Sequence, residues 1–118
     1  KRDTIMGSVD IAVVKIGVYN NANEAYREAQ EEADEEYGHQ QGYSGEINST
    51  DSITRSCGHP RYGSNIFYRW LATVMADMNK GDLIYIELTK SQLKRYQSSY
   101  LKGKRGVKGY IFFGWARS

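Results

Sequence analysis

The spacing of apolar residues changes several times along the chain, and each change marks a predicted element. Residues 10–19 (DIAVVKIGVY) are rich in valine and isoleucine, which predicts a buried strand. The next segment switches to helical spacing, with Asn21 and Glu24 resembling a capping box at its start and Gly38 placed to end it. The predicted core-facing stripe of this helix comprises Ala22, Ala25, Tyr26, Ala29, Ala33 and Tyr37.

A second helix is predicted downstream, where Ser64 can cap residues 65–80 and Gly81 can end them. Its apolar stripe is broad and contains aromatic and methionine side chains. At helical spacing such a stripe indicates a core contact more often than a cofactor site. The stripe comprises Ile66, Phe67, Trp70, Leu71, Val74, Met75 and Met78.

The last third of the chain predicts a strand, a helix and a strand. Residues 83–88 (LIYIEL) alternate in polarity and predict a strand. Thr89 with Gln92 forms another capping box, which opens a helix that Gly103 ends. Residues 107–116 (VKGYIFFGWA) predict the final strand.

Residues 39–63 differ from the rest of the chain because they have no helical period. They are rich in Gly, Ser, Thr and Asn, and only a short strand is predicted, near residues 46–50. A loop of this length in a compact domain is usually functional or mobile, so we expect a site there first. Its candidate residues are His39, Tyr43, Arg55, His59, Arg61 and Tyr62.

The order of elements predicts a single α+β domain over residues 1–118. We expect a two-layer sandwich, in which a mixed sheet of three to four strands packs against three helices. No apolar run is long enough to cross a membrane. The single Cys57 cannot form an internal disulfide, which indicates a reducing compartment such as the cytoplasm, or a protein indifferent to redox state. The predicted core comprises Ile11, Val13, Val14, Ile16, Ala29, Ala33, Trp70, Leu71, Val74, Ile84, Ile86, Ile111 and Phe113.

The net charge of +2 hides a strong segregation of charge. Residues 1–50 carry 4 Lys/Arg against 10 Asp/Glu, whereas residues 51–118 carry 12 against 4. This asymmetry predicts two electrostatically opposite faces and macromolecular partners, the alternative being that the acidic helix neutralises a nearby basic segment. The acidic face predicted to bind a partner comprises Glu28, Glu31, Glu32 and Glu35.

Several side chains belong to types that carry chemistry, but their spacing is unfavourable. His39, Cys57 and His59 are zinc-ligand types, yet the step from Cys57 to His59 is too short for a typical zinc site. We therefore expect no metal and no cofactor. The carboxylates of the first helix lie on its solvated face, and Glu87 has no visible partner for acid–base work. Catalysis from the long loop remains an alternative that the sequence does not favour.

A basic segment, residues 101–109 (LKGKRGVKG), interleaves glycines with cations. Such a segment lets backbone N–H groups and cations approach phosphate together, although it has no Walker A spacing. Tyr96, Tyr100 and Tyr110 flank it, and aromatic residues between cations are typical of base-stacking sites. A solvated turn is the alternative. The predicted phosphate- or nucleic-acid-binding residues are Arg95, Tyr100, Lys102, Lys104, Arg105 and Lys108.

Two runs, EEYGHQQGYSGEI at residues 35–47 and KRGVKGYIFFGWA at residues 104–116, resemble small, mostly uncharacterised bacteriophage-encoded accessory proteins. The resemblance implies an anti-defence inhibitor in the host-cell cytoplasm. We therefore expect a non-enzymatic binding protein that blocks a host protein or ribonucleoprotein complex through its charged faces. The alternatives are a module that binds nucleic acid or a phosphate ligand directly, and a small enzyme with its site in the long loop. The sequence leaves the oligomeric state open.

Overall fold

One of the two interior strands of the sheet is the last described strand of the chain. The computed structural model describes residues 8–37, 46–56, 58–96 and 103–117. Within these residues, four strands form one sheet, namely β1 (Ser8–Val18), β2 (Ser52–Arg55), β3 (Asp82–Glu87) and β4 (Val107–Arg117). Three helices connect them, namely α1 (Ala22–Tyr37), α2 (Asn65–Ala76) and α3 (Lys90–Tyr96).

The strands lie in the order β1-β4-β3-β2. β4 runs antiparallel to both of its neighbours, whereas β2 and β3 run parallel and are joined by α2. β4 occupies an interior position, and its residues from Gly109 to Ala116 are accordingly buried on both faces of the sheet. The predicted α+β class, with a mixed sheet and three helices, is confirmed.

One face of the sheet is covered by α1. The predicted alanine stripe is buried, and with Tyr26 it packs against Tyr110 and Phe112 of β4. Small side chains allow the helix axis to approach the sheet closely, while the aromatic rings of β4 fill the space between them. The Tyr26 and Phe112 rings lie 5.8 Å apart, centre to centre.

The opposite face is covered by α2 and α3. Phe67 and Trp70 of α2 and Leu93 of α3 pack against residues of β3 and β4 that alternate with those facing α1. Trp115 fixes the end of α2, because its indole Nε1 donates a 2.8 Å hydrogen bond to the Met75 carbonyl oxygen. Helices therefore lie on both faces of the sheet, which forms the middle one of three layers. The sequence predicted two layers.

The short strand predicted near residues 46–50 is wrong in position. Ile47–Ser49 form a single 3₁₀ turn, and the strand follows it as β2. The turn forms because Thr50 returns both its backbone N–H and its hydroxyl to the Ile47 carbonyl oxygen, at 3.2 and 2.6 Å. Gln30 of α1 donates to the carbonyl oxygens of Ile47 and Thr50, which fastens the turn to the helix.

The prediction that residues 10–19 form a buried strand is wrong in part, because β1 is an edge strand. Val14, predicted as core, lies in this edge strand and is 41% exposed. Ile66 is also exposed, at 66%, because it begins α2 on the side away from the sheet. Six other predicted core residues are only partly buried hydrophobics that pack against the core, namely Ile11, Val13, Ile16, Trp70, Leu71 and Ile84.

The helix boundaries agree with the capping signals more closely at the starts than at the ends. Ser64 caps α2 as predicted, but the helix ends at Ala76, and Gly81 instead makes the turn into β3 with a φ of +86°. Thr89 and Gln92 form the predicted capping box, with hydrogen bonds of 2.9 and 3.3 Å. Gly38, the predicted end of the first helix, lies outside the described residues, as do residues 97–102. Gly103, the predicted end of the third helix, is described and adopts a φ of +83° in a turn.

Candidate functional site

A cleft lies at the carboxyl end of the parallel pair β2 and β3. In this connection β2 leads into a loop, the loop leads into the N-terminus of α2, and α3 begins just after β3. Both helices therefore start at the same end of the sheet. The crevice beyond the carboxyl ends of parallel strands is the usual place for a ligand in open α/β sheets. The topology therefore singles out this end before any side chain is considered.

The cleft has a volume of about 340 Å³ and is open to solvent. One side is formed by the loop before α2 and the other by α3. None of the described residues that line it is acidic. They are Arg61, Tyr62, Gly63, Ser64, Ser91, Gln92 and Arg95.

Two arginines from opposite sides of the cleft give it its electrostatic character. Arg61 comes from the long loop and Arg95 from the last turn of α3, and both side chains are exposed. Among the described residues, neither guanidinium forms a hydrogen bond or an ion pair. A guanidinium presents a planar set of donors that matches the oxygens of phosphate or carboxylate. Two of them facing one crevice favour an anionic ligand.

Ser64 fixes the geometry of the loop between these arginines. Its hydroxyl donates to the Arg61 carbonyl oxygen at 2.7 Å and accepts from the Phe67 backbone N–H at 3.1 Å. Gly63 precedes it with a φ of +91°, a conformation that glycine adopts without strain. The chain therefore turns sharply into α2, whose first backbone N–H groups add partial positive charge at the cleft.

Tyr62 lines the cleft and is held by the core beneath it. Its ring is half-buried and meets the Phe67 ring edge to face at 5.2 Å and the Phe113 ring at 6.5 Å. The position of this side chain is thus set by packing against α2 and β4. A rigid aromatic surface beside two guanidiniums suits a ligand that has a flat, apolar part as well as an anionic one.

Two other predicted loop residues are described by the structure, and neither joins this cleft. The His59 ring is exposed and lies against Phe67 and Trp70, at 6.2 and 6.1 Å, with Nδ1 2.8 Å from the Pro60 carbonyl oxygen. Arg55 ends β2 and shares the sheet face of Ile53, which packs against the α1 cluster. Arg55 is therefore on the wrong side of the sheet. His39, Tyr43 and Cys57 lie outside the described residues.

The predicted basic segment is divided by the structure. Lys104 and Arg105 are exposed in the turn before β4, whereas Lys108 donates to the Asn20 carbonyl oxygen at 3.3 Å, beside the start of α1. Tyr110, predicted to flank a stacking site, is 2% exposed and belongs to the core, so it cannot receive a base. Of the described members of this set, only Arg95 lies in the cleft. Tyr100 and Lys102 lie outside the described residues, as does the side chain of Tyr96.

The predicted acidic face is on the solvent side of α1, opposite the layer that holds the cleft. Part of its charge is used internally, because Glu32 pairs with Lys15 at 2.6 Å and Glu28 accepts a hydrogen bond from the Tyr19 hydroxyl. Glu31 and Glu35 are exposed, and within the described residues they have no hydrogen bond or ion pair. Lys15 and Lys108 also lie beside α1, so the acidic side is partly neutralised and the predicted separation of charge into two faces stays a prediction.

The groups with shifted pKa values belong to the framework rather than to the cleft. Burial raises the pKa of Tyr26, whose hydroxyl lies 2.7 Å from the Thr50 hydroxyl. Burial, together with the nearby Glu87 carboxylate, also raises the pKa of Tyr110. At the start of α1, hydrogen bonds from the Asn20 backbone and side chain lower the pKa of Glu24. The predicted capping box is therefore formed in part. The Asn21 side chain accepts from the Glu24 backbone N–H, but the Glu24 carboxylate accepts from the backbone N–H of Asn20 rather than from that of Asn21.

Sequence reasoning found the two arginines of the cleft but assigned them to different sites. It treated Ser64 and Gln92 only as caps and did not consider Ser91. No local pattern marks these residues as neighbours, because the parallel pairing of β2 with β3 brings the starts of α2 and α3 together. The one available signal was that both helices follow strands and carry capping residues at their starts.

Comparisons with protein-family models, characterised proteins and solved structures gave no match for this chain. In the described part of the chain, none of the helices combines the length and the apolar character that a membrane crossing requires. The same residues contain no cluster of three or more His, Cys, Asp or Glu side chains able to hold a metal ion.

Proposed function

We propose that this protein is a binding module that takes a phosphate-bearing ligand in the cleft between the start of α2 and α3. The observation that carries the proposal is the convergence of Arg61 and Arg95 on a crevice whose described lining residues include no acid. Its location at the carboxyl end of a parallel strand pair supports the same conclusion. The proposal assigns recognition to these residues and no chemical step.

The shared chemistry is a phosphate group, which a free nucleotide and a nucleic-acid backbone both provide. Arg61 and Arg95 would hold its oxygens through their guanidinium N–H groups. Ser91 is exposed on α3 and can donate a further hydrogen bond from its hydroxyl. Tyr62 would contact the sugar or the base. A nucleic acid would reach further than a nucleotide, and cations outside the cleft would then contribute to its affinity.

The test is to titrate the protein with a labelled single-stranded oligonucleotide and, separately, with nucleoside mono-, di- and triphosphates. Arg61→Ala and Arg95→Ala should each weaken binding, and together they should abolish it. For the oligonucleotide, each lost arginine should lower the slope of log affinity against log salt by about one unit. Arg69→Ala is the matched control, since Arg69 is exposed on α2 and does not line the cleft.

The arms of this experiment separate the two sources of phosphate. If only the oligonucleotide binds, and Lys104→Ala also lowers the salt slope, the ligand is a nucleic-acid backbone. If nucleotides bind with equal affinity and Lys104→Ala has no effect, the ligand is a small phosphate compound. Binding that survives the double arginine variant would reject the cleft as the site.

A second candidate function is favoured by the solvent side of α1. Glu31 and Glu35 project there without partners among the described residues, opposite the cationic layer. Such a face can imitate the charge of nucleic acid and occupy a basic channel of another protein. This agrees with the resemblance to phage accessory proteins, which implies an inhibitor of a host defence or nucleic-acid-handling complex.

This second function is tested by competition rather than by direct binding of nucleic acid. The protein should displace a labelled duplex from a host nucleic-acid-binding complex, and the Glu31→Lys, Glu35→Lys double variant should lose this effect. The Arg61→Ala, Arg95→Ala variant should retain it. Glu87→Lys is the control for an exposed carboxylate elsewhere. Displacement that depends on the arginines instead would favour the cleft.

A further inference from the structure

The two edges of the sheet differ in length and in side-chain character. β2 forms one edge with four residues, three of which are exposed and polar. β1 forms the other edge with eleven residues, and no other described strand pairs with its outer side. Val9, Val14 and Val18 of β1 are 41%, 41% and 55% exposed. A long, apolar edge of this kind is a template for pairing with another strand.

The feature that normally protects such an edge is neutralised here. A lysine on an edge strand discourages pairing because its charge must stay in water. In β1 the only described lysine is Lys15, and its ammonium group is bound to Glu32 of α1 at 2.6 Å. The charge is drawn over the sheet and away from the open edge. Asp10, which is exposed near the start of β1, is the other charged residue of the strand. Over residues 11–18 the outer row of backbone N–H and C=O groups is left as the main polar feature.

The sequence of β1 complements itself when two copies run antiparallel. The register that pairs all eleven residues places residue 8 opposite residue 18 and puts Val13 on the two-fold axis. Val14 then lies opposite Ala12 of the second copy, and Val9 opposite Gly17. Each exposed valine in these pairs meets a small residue, and all members of a pair point to the same face.

The surroundings of Gly17 support the same register. A Cβ at Gly17 would come within 2.9 to 3.1 Å of the Tyr19 ring, so this ring lies directly over the glycine. Val9 of a second copy would therefore meet an aromatic surface on the α1 side. On the opposite face, Val14 would lie beside Ala12, which is also exposed. Both faces of the edge thus gain apolar contacts in one arrangement.

We propose that β1 is a self-association edge, through which two copies of this chain pair antiparallel in the full-length register and form a continuous eight-stranded sheet. The two-fold axis is perpendicular to the sheet, so the contact is the same for both copies and closes as a dimer. The cleft of each copy lies at the start of α2 and α3 and remains open. The proposal is independent of the function assigned to the cleft.

The first test measures mass by light scattering during size-exclusion chromatography at increasing protein concentration. The parent chain should shift from 13.5 kDa toward twice that mass. Val14→Lys should remain at the single-chain mass, because a lysine would face Ala12 of the second copy at the middle of the edge. Ile66→Lys makes the same change at an exposed site on α2 and should dimerise as the parent does.

The second test examines the register by disulfide formation in a Cys57→Ser background. An equal mixture of Ala12→Cys and Val14→Cys chains should give a disulfide-linked dimer on oxidation. A mixture of Ala12→Cys and Val18→Cys chains should not, because Val18 of one copy lies opposite Ser8 of the other, four residues along the strand from Ala12. A single-chain mass up to the solubility limit, or a dimer that Val14→Lys leaves intact, would overturn the proposal. Equal cross-linking in both mixtures would overturn the register.

Discussion

The two faces of the sheet are packed against their helices in different ways. On the α1 face the helix contributes alanines and the sheet contributes the large rings, chiefly Tyr110 and Phe112. On the other face both partners are large, because Phe67 of α2 meets Phe113 of β4 at 5.6 Å. The alanine helix must lie close to the sheet, whereas α2 is held off by its own side chains. The difference shows that the space between a helix and the sheet can be filled by side chains from either element. The packing of a helix therefore cannot be predicted from its own side chains alone.

The same two faces differ in charge, and their charges are used differently. The acids of α1 lie on a convex helix surface, and two of them are engaged by Lys15 and Tyr19. The arginines on the other side face a crevice. A concave site surrounds a ligand and lowers its contact with water, which a convex surface does not do. The smaller number of charges therefore makes the better candidate site.

The largest expected effect on stability comes from removing a large buried side chain on the α2 face of the sheet. Phe67 is fully buried and contacts four other aromatic rings besides that of His59. Phe67→Ala should lower the free energy of unfolding by about 3–5 kcal/mol, measured by urea denaturation. Tyr68→Ala, the neighbouring residue with 52% exposure, should cost about 1 kcal/mol or less. Equal losses in the two variants would contradict the assignment of these side chains.

The next largest effect on stability comes from the α1 face, where a larger side chain would be destabilising. Ala25 is completely buried between α1 and the sheet. Ala25→Leu should lower the free energy of unfolding by about 1–3 kcal/mol, because the helix must move away from β4. Ala72→Leu is the control, an exposed alanine on α2 that should change stability by no more than about 0.5 kcal/mol. A neutral Ala25→Leu would mean that α1 does not lie close to the sheet.

These two faces also explain how much of the fold the sequence predicts. The alanine spacing of α1 predicts a buried stripe correctly, because a helix face is a local property. The strand near Ile47 was misplaced because the Ile47 carbonyl oxygen accepts a local hydrogen bond from Thr50 and a distant one from Gln30 of α1, which together hold a 3₁₀ turn. Val14 was assigned to the core because periodicity does not distinguish an edge strand from a central one. Strand order depends on long-range pairing and leaves no local signal.

The candidate site was less predictable than the fold for the same reason. The sequence identified Arg61 and Arg95 as cations worth attention, but 34 positions of the chain separate them. Only the parallel connection through α2 places them on one crevice. The sequence favoured the density of acids on α1, because it could not show that Glu28 and Glu32 have internal partners.

A smaller effect compares the caps of the two helices. Asn21 and Ser64 accept from the N–H groups of Glu24 and Phe67, both at 3.1 Å. Asn21→Ala and Ser64→Ala should therefore each lower the free energy of unfolding by about 1 kcal/mol. Only Ser64→Ala should also weaken phosphate binding, because Ser64 holds the Arg61 carbonyl oxygen. If both variants bind equally well, the loop geometry does not depend on this serine.

The smallest expected effect on stability concerns an ion pair at the end of the sheet away from the cleft. There a charge should contribute to folding and not to phosphate binding. Arg117 at the end of β4 donates a hydrogen bond to Asp51, which precedes β2, and this holds the pKa of the Asp51 carboxyl below its usual range. The folded pKa is thus lower than the unfolded one. The pair therefore stabilises the protein above the ordinary aspartate pKa, and this contribution is lost as the pH falls through the lowered value.

Because the Arg117 and Asp51 side chains are 31% and 59% exposed, solvent screening limits their contribution to about 0.2–1 kcal/mol. Asp51→Asn should reduce the free energy of unfolding by this amount near neutral pH. The difference should vanish once the pH is well below the lowered pKa. Glu35→Gln, on the exposed side of α1, should show no such convergence, and phosphate binding should be unchanged in both variants. A stability difference that is constant with pH would assign the loss at Asp51 to packing rather than to its charge.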